Sequence, residues 1–237
     1  RAECYAYESG RAMIRIVEEV SRRCPDVIVD FDVTEGGRFV GLGFLSVGKY
    51  FLINNGPYFH DFDIPRTVKI DPDTINVFFY PGPARPRICR QGIKYDSVIP
   101  SILFLTHYLP DGPRLSQVNS IASLVLGGNG FWGDLPALSE DDVAYLSQQI
   151  SLYKQVSGAV TRATPRMRGF AGSSPEIHEK IDPESASGLV AFFTVTPGKI
   201  HHYTQRFDIS RVKRVEGADQ WEPTADGRLK LTVELES

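Results

Sequence analysis

The first apolar pattern along the chain is helical. Between residues 9 and 24 the apolar side chains recur at the i, i+3, i+4, i+7 spacing of one helix face: Met13, Ile16, Val17, Val20 and Cys24. Ser9 is a suitable N-cap, and Pro25 ends the helix because proline has no N–H to continue it. The pattern predicts a helix that leads directly into the next apolar segment.

Short continuous apolar runs follow at 27–31, 50–53 and 75–80, and such runs are typical of strands buried on both faces. Helix-like segments follow them, at 96–105 and 116–126. A further helix is predicted after Ser139, with Ser139 and Asp142 as a capping pair and Val143, Leu146, Ile150 and Tyr153 as its buried face. Strands that alternate with helices predict β/α units around a parallel sheet.

The pattern changes near residue 160. Residues 166–175 resemble a loop or linker, and strands are predicted at 188–195, 199–207, 211–215 and 228–235. The last strand alternates strictly between apolar and polar positions, which is typical of a sheet with one solvated face. The sequence therefore predicts an α/β unit over 1–160, followed by a small antiparallel β domain over 161–237.

Composition narrows the classes of function. The chain has 237 residues and a net charge of −3, with 26 basic and 29 acidic side chains, so neither a disordered protein nor a nucleic-acid-binding protein is indicated. No apolar run reaches the length of a membrane span, so no membrane partner is expected. Three cysteines without a CxxC pair argue against a disulfide scaffold and a zinc site, and favour a reducing, cytoplasmic location. Because the chain begins at Arg1 without Met or a signal segment, we expect its start to be internal to a longer protein or processed.

Acidic residues gather where the first predicted strand ends. Asp30 and Asp32 alternate along the strand and so point to opposite faces of the sheet. Glu35, Gly36 and Arg38 follow at once, and the carboxyl ends of parallel strands are where α/β folds place their ligands. A capping aspartate with an ordinary turn is the alternative interpretation.

Amides and aromatic residues follow the second strand and a later Gly-rich loop. Asn54 and Asn55 precede several aromatic residues, and Trp132 lies in the loop 127–134. This composition suits carbohydrate recognition, because amides bond sugar hydroxyls and aromatic rings stack on the apolar face of a sugar. A Gly-Pro turn with buried aromatic residues is the alternative interpretation. His201 and His202 would point to opposite faces of a strand and make a poor metal pair. Neither a metal nor a cofactor is expected.

These segments resemble one known family. Pro25, the apolar strand and Asp30-x-Asp32-x-x-Glu35-Gly36-x-Arg38 resemble the fifth barrel strand of glycoside hydrolase family 36, the α-galactosidase-like enzymes of the melibiase clan. Gly36 and Arg38 match that pattern outright, whereas Asp30, Asp32 and Glu35 stand where the family has Glu, Cys and Gly. In the same register, residues 53–55 fall on the family's Ser-Asp-Asn on strand six. Residues 127–154 resemble its last strand and helix, and the tail resembles its C-terminal β-sandwich.

The resemblance implies strands five to eight of a (β/α)8 TIM barrel followed by an incomplete antiparallel β-sandwich. The intact parent would hydrolyse α-galactosides, or related glycosides, by a retaining two-carboxylate mechanism. The nucleophile would lie on the N-terminal half of the barrel, upstream of this chain, and that half would be a partner of the chain. Assembly as a homo-oligomer is a further expected possibility. The sugar-binding residues implied are Asp32, Glu35, Gly36, Arg38, Asn54, Asn55 and Trp132.

The acid/base position raises alternatives. It is occupied by Asn54, which cannot cycle a proton, and loss of a positioned acid typically costs ~10²–10⁴-fold in rate. Either Asp61 or Asp63 takes that role, or the parent is a non-catalytic carbohydrate-binding protein. In a different register Asp32 would be the nucleophile itself. An unrelated α/β fold with a structural β tail is the third hypothesis, and the chain alone is expected to be inactive.

Overall fold

The computed structural model describes residues 2–32, 42–48, 50–52, 90, 93, 103–105, 114–130, 136 and 138–235. The helices of this part with printed bounds are α1 (Ala2–Arg23), α2 (Arg114–Leu124) and α3 (Glu140–Arg162), and 3₁₀ turns lie at Leu42–Ser46 and Ile209–Arg211. Among the described helices, none combines the length and the apolar character needed to cross a membrane.

Two parallel strand pairs form the first part of the fold. Strand β1 (Asp30–Asp32) pairs with β2 (Tyr50–Leu52), and β3 (Leu103–Leu105) pairs with β4 (Gly128–Gly130). Strand β2 also contacts β3. The parallel pairing agrees with the expected β/α units, but residues 103–105 form a strand where a helix was expected, because a short apolar run does not distinguish the two. The predicted strand at 75–80 lies outside the described residues.

Two antiparallel sheets form the second part. The first has the order β5 (Arg166–Arg168), β6 (Glu176–Asp182) and β7 (Ser187–Phe193). The second has the order β8 (Gly198–Tyr203), β10 (Leu229–Leu235) and β9 (Gln220–Pro223). An antiparallel β region was predicted correctly, but the expected strand at 211–215 is wrong, and β5 and β6 lie where a linker was expected or nothing was assigned.

The first antiparallel sheet lies between the helices and the second sheet. Helix α3 contacts β6 and β7 on one side, and side chains of β6 bond to the second sheet on the other. One apolar cluster joins the two parts of the fold: Phe44, Ile93, Leu126 and Ala191, with Phe31, Leu189 and Phe193 packed against it. The α2–α3 contact is a second cluster centred on Ile121 and Leu146. The described parts therefore share buried apolar surface, which ties the α/β region to the β region.

Helix α1 differs from its prediction in two ways. It begins at Ala2, so Ser9 lies inside it and is no N-cap. Of the five apolar residues on the predicted helix face only Val17 is buried, whereas Met13, Ile16 and Val20 are exposed. The side that packs carries Ile14, which lies against the cluster around Phe44. The apolar arc of α1 is therefore wider than the part of the helix that packs against the cluster around Phe44.

Candidate functional site

The best-placed predicted site lies at the carboxyl edge of the parallel strands. In the register of β1 with β2, Asp30 lies opposite Tyr50 and Asp32 lies opposite Leu52. Asp32 is the last residue of β1 and Leu52 the last of β2, so the chain leaves both strands at the same edge. This is the edge at which α/β folds bind their ligands.

Of the predicted sugar-binding residues, the structure gives a strand position to Asp32 alone. The others lie outside the described residues: Glu35, Gly36, Arg38, Asn54, Asn55 and Trp132, together with the alternative acids Asp61 and Asp63. Their roles stay predictions.

Strand β4 is fixed at its start by helix α3. The Tyr153 hydroxyl donates a hydrogen bond to the carbonyl of Gly127, the residue immediately before β4. Burial raises the pKa of Tyr153, which keeps the hydroxyl protonated as a donor. Strand β4 ends at Gly130, directly before the segment that contains Trp132. Tyr153 therefore anchors the start of β4 to helix α3.

A buried carboxylate joins the two parts of the fold. Glu176, the first residue of β6, has no exposed surface, and its Oε1 accepts from Arg90 Nε at 2.7 Å and lies 2.5 Å from Nε2 of His178. Its Oε2 accepts from the Gly172 N–H at 2.6 Å and from a second Arg90 nitrogen at 3.2 Å. The guanidinium also lies over the Phe193 ring, with Cζ 4.1 Å from the ring centroid. One carboxylate thus satisfies four donors from three residues.

The remaining Arg90 bonds go to helix α2. One terminal nitrogen donates to Asn119 Oδ1 at 3.2 Å and to Ser123 Oγ at 2.9 Å. Burial alone would raise the pKa of Glu176, but the hydrogen bonds from His178, Arg90 and Gly172 outweigh it and lower the pKa to about 2. The Glu176 carboxylate is therefore ionised at neutral pH and stabilises the buried Arg90.

A second carboxylate lies on the opposite face of β6. Glu179 Oε2 is 2.7 Å from Nε2 of His202 on β8, and its Oε1 accepts from the Gln205 N–H at 2.8 Å. His201, the neighbour of His202, instead directs Nδ1 at Thr232 Oγ1, 2.9 Å away. The prediction that His201 and His202 point to opposite faces is confirmed. Strand β6 is thus linked through Glu176 and Arg90 to helix α2, and through Glu179 to the second sheet.

The Glu176 cluster is a structural centre and was missed by the sequence reasoning. Its carboxylate is fully buried and saturated with donors, so it cannot bind a substrate or transfer a proton to one. The sequence signal was the run 176–182, in which acidic and basic residues share a strand with two isoleucines. Such a run ordinarily indicates a solvated strand or loop, since charged residues are rarely buried without partners.

One groove lies between α2 and α3. It encloses about 310 Å³ and is lined mainly by apolar side chains: Ile121, Leu124, Val125, Leu146, Ile150 and Tyr153, with Gln149 and Lys154. This lining contains no carboxylate, so the groove lacks the acid and base that glycoside hydrolysis needs. Within the described residues, no group of three or more His, Cys, Asp or Glu side chains could hold a metal ion.

Comparison with known proteins gives structural neighbours only. No family model matches the sequence, and no curated protein matches it. The solved structures that resemble it are family 36 α-galactosidases. A variant of AgaA from Geobacillus stearothermophilus, in complex with 1-deoxygalactonojirimycin, has 15% identity and a TM-score of 0.47, with 94% of this chain and 28% of that chain covered. A second AgaA variant, in complex with raffinose, has 13% identity and a TM-score of 0.46, with 93% and 30% covered.

AgaB from the same organism is similar to the same degree, with 13% identity, a TM-score of 0.45 and 30% of its length covered. These neighbours belong to the family whose motifs the sequence resembles. The chain spans less than a third of each neighbour's length. At such identities and TM-scores no residue role passes from them to this chain.

Proposed function

We propose that this chain is part of a glycoside-hydrolase-like protein whose sugar site lies at the carboxyl edge of β1 and β2. The ligand would be an α-galactoside or a related glycoside. Asp32, Glu35 and Arg38 would bind it from the end of β1, Asn54 and Asn55 from the end of β2, and Trp132 from the segment after β4. Strands β1 to β4 would then be the last four strands of a (β/α)8 barrel, and residues 161–237 an incomplete β-sandwich.

The observation that carries the proposal is the register of β1 with β2. Asp32 and Leu52 are paired in parallel strands, whose backbones are ~4.8 Å apart. Asn54 follows Leu52 by two residues, and two residues of chain reach at most ~7 Å. Covalent geometry therefore limits the separation of the Asp32 and Asn54 backbones to ~12 Å. That is within the span of one sugar-binding pocket.

A hydrolytic mechanism needs groups beyond those of this chain. A retaining glycosidase uses two carboxyl groups ~5–5.5 Å apart, one as nucleophile and one as acid/base. If β1 corresponds to the fifth barrel strand, the nucleophile comes from the N-terminal half of the barrel. Asp61 or Asp63 then takes the acid role that Asn54 cannot supply. This chain would supply hydroxyl recognition, and by itself it would not hydrolyse a glycoside.

The test compares the full-length parent with its Asn54→Asp variant on an aryl α-galactoside. If Asn54 occupies the acid/base position and neither Asp61 nor Asp63 supplies the acid, the new carboxyl group should raise kcat/KM by ~10²–10⁴-fold. The matched control is Asn55→Asp, which adds the same charge one residue later and should give no such gain. Equal effects of the two substitutions would contradict the assigned position.

A second function is favoured by Asn54 itself. An amide at the acid/base position binds sugar hydroxyls without proton transfer, as in a non-catalytic carbohydrate-binding protein. Calorimetry with 1-deoxygalactonojirimycin, the iminosugar in the AgaA neighbour, separates the two functions. Binding by a parent that hydrolyses no aryl glycoside in a broad panel would support the binding protein and refute the hydrolase.

A further inference from the structure

The second antiparallel sheet has a face that points away from the rest of the described fold. His202 on β8 points inward and bonds Glu179 of the first sheet, so His201 and the residues aligned with it point outward. The first sheet lies between this sheet and the helices, which leaves the outward side on the outside of the described fold. The residues of this outer face are Lys199, His201, Tyr203, Gln220, Glu222, Lys230, Thr232 and Glu234.

Two rings lie in line on the outer face. Tyr203 and His201 are two residues apart on β8, which places them ~6.7 Å apart along the strand. Tyr203 is a large side chain and yet is 52% exposed. The His201 ring is held by the bond of its Nδ1 to Thr232 Oγ1, at 2.9 Å. The outer face therefore presents an exposed aromatic ring beside an imidazole whose orientation is already fixed.

The charges of the outer face balance. Lys230 Nζ bonds Glu222 Oε1 at 2.6 Å, in the same row of the sheet as Tyr203, and Lys199 lies opposite Glu234. Nucleic acids and acidic peptides are bound by an excess of positive charge, so this balance favours a neutral ligand. Carboxylate, ammonium and amide groups around one ring match hydroxyl groups, which both donate and accept hydrogen bonds.

A protein partner fits the outer face less well than a sugar does. The centre of a protein–protein interface is apolar and depleted of charged residues. The outer face has Tyr203 as its one large apolar ring, with Lys230 and Glu222 directly beside it. An isolated ring surrounded by hydrogen-bonding groups is instead what the apolar face and the hydroxyls of a sugar require.

We propose that the outer face binds a neutral oligosaccharide chain, with Tyr203 stacked on one sugar ring and Gln220, Glu222 and Lys230 bonded to hydroxyls. This site is separate from the edge beyond Asp32. Phe31 of β1 packs against the cluster that contains Ala191, on the side of the first sheet that faces the helices. The two sites therefore lie on opposite sides of that sheet, and the choice of a galactose-containing ligand rests on the proposed function.

Native gel electrophoresis of the full-length parent in a gel that contains soluble galactomannan, a neutral polysaccharide with α-galactosyl side chains, tests the site. The polysaccharide should retard the parent, and Tyr203→Ala should weaken the apparent affinity at least fivefold. Tyr203→Phe keeps the ring and should retain most of the affinity. Tyr7→Ala is the matched control, because Tyr7 is 64% exposed on α1 and should leave retardation unchanged. A parent that is not retarded, or retardation unaffected by Tyr203→Ala, overturns the proposal.

A cross comparison separates this site from the proposed sugar site at the strand edge. Asp32→Ala should weaken binding of 1-deoxygalactonojirimycin and keep the retardation, whereas Tyr203→Ala should do the reverse. Retardation that depends on Tyr203 in a parent that binds no iminosugar would support the outer face and contradict the proposed function. If Asp32→Ala alone abolishes the retardation, the polysaccharide is held at the strand edge and the outer-face site is refuted.

Discussion

The buried Glu176 carboxylate gives the sharpest prediction about stability. The substitution Glu176→Gln keeps the size of the side chain and removes its charge, which leaves Arg90 buried without a counter-ion. Breaking a buried ion pair by removal of one partner typically costs about 3–5 kcal/mol. A second route gives a similar figure, because a pKa of about 2 against the ordinary 4.5 corresponds to about 3 kcal/mol at neutral pH.

Guanidinium denaturation at pH 7 measures this loss as a change in the free energy of unfolding. The matched control is Glu222→Gln, because Glu222 bonds Lys230 at 2.6 Å, a distance close to the 2.7 Å of the Arg90 pair, but lies on the surface. Exposed pairs contribute little, so this control should show no resolvable change. A Glu176→Gln variant as stable as the Glu222→Gln variant would refute the account of the cluster.

The same carboxylate predicts a dependence on acid. The pKa of Glu176 is lower in the folded chain than in the unfolded chain, so its stabilisation is complete above about pH 4.5 and is lost as the pH falls toward 2. The free energy of unfolding should therefore fall over this range by about 3 kcal/mol more in the wild type than in Glu176→Gln. Parallel pH profiles of the two proteins would contradict the lowered pKa.

The remaining predictions concern the backbone. Gly188→Ala should destabilise the chain by more than ~3 kcal/mol, because a Cβ at this φ of +155° would lie 2.1 Å from the Lys180 carbonyl oxygen. Gly158→Ala, inside α3, should instead stabilise the chain by up to ~1 kcal/mol. Thermal unfolding of the two variants measures both changes. Tyr153→Phe should cost about 1 kcal/mol through loss of the bond to Gly127, and should speed hydrogen exchange in β4. Unchanged exchange in β4 would show that Tyr153 does not fix the strand.

The start of α3 and the strand β10 were predicted from residues that are close together in the sequence. The N-terminus of α3 is the clearest case, since Ser139 accepts from the Asp142 N–H at 3.2 Å as the capping pair predicts. The alternation of residues 229–235 likewise predicted β10, whose Leu229, Leu231 and Val233 are buried. In each case neighbouring residues carry the whole signal.

Features that depend on distant partners were not predictable in this way. Strand β6 is buried along its whole length although five of its seven residues are polar or charged, because Arg90 and His202 supply partners from far along the chain. The buried side of helix α1 was not predicted for a related reason, because periodicity identifies an apolar arc but does not show which part of that arc packs against the rest of the fold. The site prediction depends on the register of β1 with β2, which no local pattern contains.

The edge of the sheet beyond Asp32 and Leu52 is the proposed sugar-binding site. Calorimetric titration of the full-length parent with 1-deoxygalactonojirimycin, beside its Asp32→Ala variant, tests this most directly. Asp26→Ala is the control, since Asp26 is exposed in the turn between α1 and β1. We expect saturable binding that Asp32→Ala weakens at least tenfold and Asp26→Ala leaves unchanged. Absence of binding by the parent, or equal binding by the parent and Asp32→Ala, would contradict it.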